Sequence, residues 1–172
     1  MYFEIFTARI KHRIIYCEVN YSLFEVDDNA IAILDRAVGK IVKCSQEHYS
    51  EAYGFHAERR FVNRAVEVMV ADDITAYEVL RRINLIEALL GRDRDEELKI
   101  KQQTGEQYAS RPIDIDIIFY GDATFSDSRL VIPYHFLEER EYALRPVAEI
   151  AAERRHPALR YTPEQMLERI ER

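Results

Sequence analysis

Two aspartates stand two residues apart in the run Ile113-Asp-Ile-Asp-Ile-Ile-Phe-Tyr, and they carry the clearest chemical signal in the chain. Successive side chains alternate between the faces of a β-strand. Asp114 and Asp116 therefore share one face, and Ile113, Ile115 and Ile117 share the other. Their Cα atoms would lie about 7 Å apart, close enough for the side chains to converge on one hard cation or to divide between two. Carboxylates this close repel unless a cation sits between them, and aspartate is a poor strand former. A solvated strand face is accordingly the weaker explanation. Magnesium suits such a pair, because it takes one or two carboxylates and completes its shell with water and phosphate oxygens.

A phosphate ligand calls for cations nearby. Arg92 and Arg94 follow a helix pattern ending at Gly91, Arg111 precedes the aspartates, and Arg129 and Arg140 come later. The planar guanidinium fork matches phosphate oxygens in bidentate, charge-assisted bonds. Taken singly, each arginine reads as a surface residue, and spacing alone does not bring the five together. Asn84 and Glu87, three apart on the preceding helix, share a face suited either to a nucleotide or to solvent. No P-loop, Gly-rich dinucleotide turn or kinase catalytic-loop pattern accompanies them, and the Cys and His spacing is not that of a zinc site. The residues by themselves lead to a magnesium–phosphate site with an unassigned acceptor.

The elements that must position these groups can be read from the rest of the chain. Its 172 residues, 48% of them hydrophobic, suit a single domain with a real core. A net charge of −7 argues against a general nucleic-acid binder. No apolar run approaches the roughly 18–20 residues needed to span a bilayer, and residues 1–6 lack the pattern of a secretory signal. A cytoplasmic protein without membrane contact is expected, as a monomer or weak homodimer. The two cysteines, Cys17 and Cys44, are expected to be reduced and structural.

Strands are expected over residues 13–19, 41–45, 61–70, 113–120 and 129–132. A helix capped by Asp27 or Asp28 should end at Gly39. A second should start at Asp73 or Thr75, bury Leu80, Ile83 and Leu90, and close at Gly91. Residues 46–60 and 92–110 read as polar loops, the second long enough to be functional. Residues 136–144 should be helical, and Thr162-Pro163-Glu164 starts a last helix. Strands and helices alternate without the rhythm of a doubly wound sheet, which favours an α+β architecture.

The run Tyr108-Ala-Ser-Arg-Pro-Ile-Asp-Ile-Asp-Ile-Ile resembles the signature of 6-hydroxymethyl-7,8-dihydropterin pyrophosphokinases. The resemblance holds in order over residues 41–157. It takes in Ser50-Glu-Ala-Tyr-Gly-Phe, Phe61-Val-Asn-Arg-Ala-Val, Asn84 with Glu87, Gly91-Arg-Asp-Arg94, Arg129-Leu-Val-Ile-Pro133, Glu139-Arg140-Glu-Tyr142 and Leu144-Arg-Pro146. Residues 1–13 have no counterpart and form an unassigned N-terminal extension. The resemblance implies a ferredoxin-like α+β sandwich, with helices packed on a mainly antiparallel sheet. The activity it implies is transfer of diphosphate from ATP to hydroxymethyl-dihydropterin, a step of folate synthesis that releases AMP.

By the same resemblance, Asp114 and Asp116 hold two magnesium ions. Asn84, Glu87, Arg92, Arg94, Arg111, Ile117, Arg129, His135 and Arg140 serve ATP, with Arg92 also counted as catalytic. Ser50, Tyr53, Phe61, Asn63, Tyr108 and Tyr142 serve the pterin, Phe61 and Tyr142 enclosing the ring between them. The chain departs from the family pattern in several places: Tyr108 stands where the family has a loop tryptophan, and the arginine loop is longer. Glu18-Val19-Asn20 stands where the family has Gly-Ser-Asn, and a glutamate there is expected to crowd a tight turn. Tyr134 follows Pro133 and displaces His135 by one place. These departures keep open a second reading, a catalytically impaired homologue that binds nucleotide or pterin as a module.

Overall fold

The computed structural model describes residues 12–21, 27–51, 60–105 and 111–171. Its centre is β1 (His12–Tyr21), hydrogen-bonded antiparallel to β4 (Phe61–Ala71) on one side and to β5 (Ile113–Tyr120) on the other. The outer edge of β4 pairs with two short strands, β2 (Lys40–Cys44) and β3 (His48–Ser50), also antiparallel. A separate hairpin joins β6 (Phe125–Ser126) to β7 (Val131–Ile132). The five-stranded sheet carries helices on both faces, an α+β ferredoxin-like arrangement.

Alternation along the strands divides the sheet cleanly. Ile15, Cys17, Val19 and Tyr21 of β1 point to one face with Val62, Val66, Val68 and Val70 of β4 and Ile113, Ile115 and Ile117 of β5. Against them pack α1 (Asp27–Ala37) and α2 (Ala76–Leu89), through Ala30, Leu34, Val79, Ile83 and Ile86. Each fully buried aliphatic side chain of this kind contributes about 1.5–3 kcal/mol. On the other face, Tyr16, Ala65, Ile118 and Phe119 meet α4 (Glu141–Ala151) and α5 (Pro163–Ile170) through Leu144, Val147 and Met166. This second cluster reaches Ala65 and Tyr16 but not the residues two further toward the end of β1. The polar side chains of Glu18, Asn20, Asn63, Asp114 and Asp116 occupy that end of the face.

A β-bulge sets the boundary. Tyr16 pairs with Phe119 but Cys17 pairs with Ile117, so Ile118 is the extra residue in β5. Ile118 and Phe119 consequently face the same cluster, breaking the strict alternation of the Asp114–Ile117 segment. The bulge turns both Ile118 and Phe119 into the cluster they share with α4 and α5, while Tyr142 of α4 borders the acidic end.

Several sequence expectations hold with small shifts. Thr75 caps α2 by accepting from the Glu78 amide at 3.2 Å, and Thr162 with Gln165 forms a capping box at the start of α5. Leu80 and Leu90 are only half-buried, and the inward face of α2 is instead Ala76, Val79, Ile83, Ile86 and Glu87. Gly39 follows α1 as expected, but space is the reason: a Cβ there would come within 2.5 Å of the Met69 carbonyl oxygen. Residues 46–60 are not wholly loop, since His48–Ser50 pairs with β4.

The largest correction is at residues 92–110, expected to be a loop. They contain α3 (Arg94–Thr104), capped by the Asp93 carboxylate and closed by Gly105 in a left-handed conformation (φ 73°). Its only buried side chain is Glu97, so the apolar periodicity that reveals most helices is missing. Capping and the acidic first turn Asp95, Glu96 and Glu97 favour it instead. The stretch 136–144 is likewise split: a 3-10 turn at Leu137–Glu139 gives way at Arg140 to α4. The extension assigned to residues 1–13 ends inside β1, and residues 1–11 lie outside the described part. Both cysteines are free thiols, Cys17 buried and Cys44 half-buried.

His156 ties the segment between α4 and α5 to the second core. Its Nδ1 accepts from the amides of Ala158 (3.3 Å) and Leu159 (3.1 Å), and its ring meets the Phe119 ring edge-on at 5.9 Å. Burial holds its pKa below the ordinary value of 6.5, outweighing the opposing pull of Glu138. A depressed histidine is protonated first in the unfolded chain. Its contribution is whole above about pH 6.5 and falls as pH drops below that value. A His156→Gln variant should lose stability at neutral pH and show a shallower decline toward about pH 5 in urea denaturation. An unchanged slope would show that this ring does not govern the acid limb.

Candidate functional site

Cross-strand register assembles the acidic end of the sheet. Glu18 lies opposite Asp116 on one side and Ala65 on the other, while Asn20 lies opposite Asp114 and Asn63. The segment Glu18-Val19-Asn20 is thus continuous strand, and the expected turn does not form. Glu18 is buried (1% exposed) and points to the same face as the two aspartates. Burial and the neighbouring charges of Asp116 and Asp114 raise its pKa well above the ordinary carboxylate range.

The two aspartates are held differently. One Asp114 oxygen accepts from Arg92 at 2.5 Å and the other from Arg111. Asp116 is pushed up to about 7, by burial first and then by the adjacent Asp114 carboxylate, although a hydrogen bond to Tyr134 and the charge of Arg111 oppose the shift. A buried carboxyl beside another carboxylate gains its charge readily once a cation arrives. The pair therefore fits magnesium, with phosphate oxygens and water left to complete the shell. Among the described residues, no third His, Cys, Asp or Glu completes an all-protein metal cluster.

Arg92 follows α2 and is almost fully buried among three carboxylates. It donates to Glu97 at 2.7 Å, to Glu87 at 2.8 Å and to Asp114. Burial alone would lower its pKa, but Glu97, Asp114 and Glu87 together hold it above the ordinary value. Glu87 lies at the inner side of α2, where one oxygen also accepts from the Ile115 amide at 2.8 Å and the other from Arg94 at 2.5 Å. Arg94 reaches Asn84 as well, at 2.9 Å. These bonds lock the end of α2, the start of α3 and the acidic strand into one unit.

Two cavities open on either side of the aspartates. Both are lined by Asp114, Asp116 and Tyr134. One, of about 380 Å³, is bounded by Asn84, Glu87, Arg92, Arg94, Ile117, Arg129 and His135. Arg129 stacks on the Tyr77 ring at 4.5 Å at the edge of the β6–β7 hairpin. The other cavity is narrow, about 60 Å³, and is lined by Glu18, Asn20, Ser50, Phe61, Arg111, Arg140 and Tyr142 among others. The five arginines, scattered in sequence, thus divide three to one side and two to the other. Asn63 lies behind this second cavity. Its amide nitrogen donates to the His48 carbonyl (3.0 Å) and the Ser50 hydroxyl (2.9 Å), and its oxygen accepts from Asn20. Asn20 is the amide that lines the cavity. Tyr53 and Tyr108 lie outside the described residues.

Sequence reasoning passed over several lining residues, Tyr134 and Glu18 among them. Tyr134, treated as an insertion before His135, bonds to Asp116 and accepts from Arg140, whose guanidinium lies over its ring. Its position after Pro133 was the available signal. Glu18 was read as a turn defect, and only the strand pairing shows where its side chain goes.

The ferredoxin-like sheet thus carries its paired aspartates between two cavities, one lined by Arg92, Arg94 and Arg129 and the other by Phe61 and Tyr142, the layout of a transferase. The chain belongs to the 7,8-dihydro-6-hydroxymethylpterin-pyrophosphokinase family, whose model matches residues 23–152. A 2-amino-4-hydroxy-6-hydroxymethyldihydropteridine pyrophosphokinase of Synechocystis is 31% identical over 83% of this chain and 67% of its own length. One of Methylorubrum extorquens is 34% identical over 65% of this chain and 63% of its own. The chain thus spans about two thirds of the length of these relatives. An HPPK-DHPS crystal structure from Plasmodium falciparum has the same fold, with a TM-score of 0.65 at 14% identity. The match covers 92% of this chain and 43% of that one. No helix among the described residues is long and apolar enough to cross a membrane.

The buried ion cluster yields a direct expectation. Removing one partner of a buried pair strands the other, so Glu87→Ala should cost about 3 kcal/mol in urea denaturation. Glu87→Gln, which keeps an acceptor for the Ile115 amide, should cost less. A loss under about 0.5 kcal/mol in Glu87→Ala would mean the cluster contributes no more than surface charges.

Proposed function

We propose that this chain, as a single domain, transfers diphosphate from ATP to 6-hydroxymethyl-7,8-dihydropterin. The observation that carries this reading is the placement of Asp114 and Asp116 between two cavities of different chemistry. ATP is assigned to the larger cavity, where Arg92, Arg94 and Arg129 offer charge to the phosphates and Asn84 offers polar contacts. The pterin is assigned to the narrower one, between Phe61 and Tyr142. Both aromatic rings border that cavity, and a bicyclic ring enters as they part.

In the reaction, the acceptor hydroxyl oxygen bonds to the β-phosphorus and loses its proton. The bond from that phosphorus to the α–β bridging oxygen breaks, and AMP leaves with the bridging oxygen. Magnesium bound by Asp114 and Asp116 would supply Lewis-acid neutralisation of the phosphate charge. The protein's own part is to bring acceptor and phosphate into line and to exchange carboxylate partners for phosphate. Arg92 and Arg111, now bonded to Asp114, are the guanidinium groups positioned for that exchange. Tyr134, shared between Asp116 and Arg140, holds both at the boundary of the cavities. A cytoplasmic location and a monomer or weak homodimer complete the proposal.

Incubation with ATP, magnesium and the hydroxymethyl-dihydropterin should yield AMP and the pterin diphosphate. ADP or inorganic phosphate as the nucleotide-derived product would overturn the two-phosphate transfer. Asp116→Ala should lower turnover by on the order of 10³-fold while the circular dichroism spectrum stays native. Near-normal turnover in that variant would sink the assignment of the aspartates to magnesium.

A further inference from the structure

Glu18 is a buried carboxyl of the acidic end that makes no ion pair among the described residues, although the charges of Arg140 and Arg111 act on it. Its Oε1 is shielded from solvent and has no hydrogen-bond partner, and the residue is 1% exposed. Leaving a buried polar atom unpaired is unfavourable, so a ligand that supplied a donor would recover that cost. The side chain lines the aromatic cavity with Phe61 and Tyr142 and is absent from the arginine cavity, although Asp114 and Asp116 border both. Its register places it opposite Asp116, two residues along β1 from Asn20. An N–H or O–H of a flat acceptor entering that cavity would meet the unpaired oxygen.

We propose that Glu18 is a specificity-determining residue for the acceptor, its Oε1 accepting a hydrogen bond from an N–H or O–H of the heterocycle held between Phe61 and Tyr142. The proposal rests on the pyrophosphokinase reading of the site. It adds a contact that a glycine at this position could not make. Asn20 and Glu18 together then present two polar groups along one edge of the acceptor, both fixed by the same strand. A rigid strand aims such groups more accurately than a loop does. Selectivity follows, because an analogue lacking the matching donor leaves Oε1 unpaired.

The test compares wild type with Glu18→Ala and Glu18→Gln, each checked for native melting. Acceptor affinity is measured by pterin fluorescence and KM values by AMP formation. Glu18→Ala should weaken hydroxymethyl-dihydropterin binding by about tenfold, with the KM for ATP within about twofold of wild type. Glu18→Gln retains an acceptor oxygen and should restore most of the affinity. Titration with the 6-methyl analogue, which lacks the hydroxyl, separates the two donors. An equal loss for both ligands assigns a ring N–H, and a loss confined to the hydroxymethyl compound assigns the O–H.

Unchanged pterin affinity in Glu18→Ala, or an ATP KM that rises in parallel, overturns the proposal while leaving the pyrophosphokinase reading intact. A wild-type protein that forms AMP only with another acceptor overturns the pterin assignment and this contact with it.

Discussion

Arg92 is buried between Glu87, Glu97 and Asp114, and the arrangement of the acidic end follows from the need to neutralise that charge. Three carboxylates and one guanidinium leave a local excess of negative charge, which Arg94 and Arg111 reduce from either side. The bonds reach across α2, α3 and β5, so the helices cannot shift without separating buried ions. Asp116 stays outside this compensation, although its neighbours Arg111 and Tyr134 ease its ionisation. The result is a site in which Asp114 is ion-paired to two arginines and Asp116 makes no ion pair among the described residues.

The same arrangement explains how the site could respond to its substrates. Arg92 and Arg111 are bound to Asp114 by contacts that phosphate oxygens can replace in kind. The exchange conserves charge pairing, so neither state strands a buried ion. Glu97, the one buried side chain of α3, anchors that helix inward together with Arg94. Movement of α3 is therefore coupled to the partner choice of Arg92, a link that a free loop over the same residues would lack.

Backbone pairing supplies the other half of the geometry. β1 is hydrogen-bonded along both edges, so its side chains have little freedom to drift. Glu18 and Asn20 are thereby fixed relative to Asp116 and Asp114, on the face where Tyr142 of α4 borders the same cavity. The family likeness and the site agree on the paired aspartates and surrounding arginines. They part at Glu18 and Tyr134, where this chain carries larger polar groups. Glu18 borders the cavity lined by Phe61 and Tyr142, and Tyr134 borders both cavities.

Much of the fold was legible because its signals are local. The alternation in residues 113–117, the valine-rich run of β4, and the Thr75 and Thr162 caps each depend on neighbours a few positions away. The aspartate pair was legible for the same reason: period-two geometry places both carboxylates on one face whatever surrounds them. Helix α3 was missed because it buries one glutamate and no apolar stripe, so its stability lies in capping and charge. The fate of Glu18 was misread because a strand and a turn are told apart there by pairing with β4 and β5, which lie far along the chain. By itself the sequence determined that Asp114 and Asp116 share a strand face and that Arg92 and Arg94 follow a helix end. Only the tertiary structure decided that the arginines divide between two cavities, that Glu87 is an internal ion partner, and that Glu18 looks into the aromatic one. Those outcomes depend on strand register and on buried charges finding counter-charges across long separations, and neither is set by local spacing.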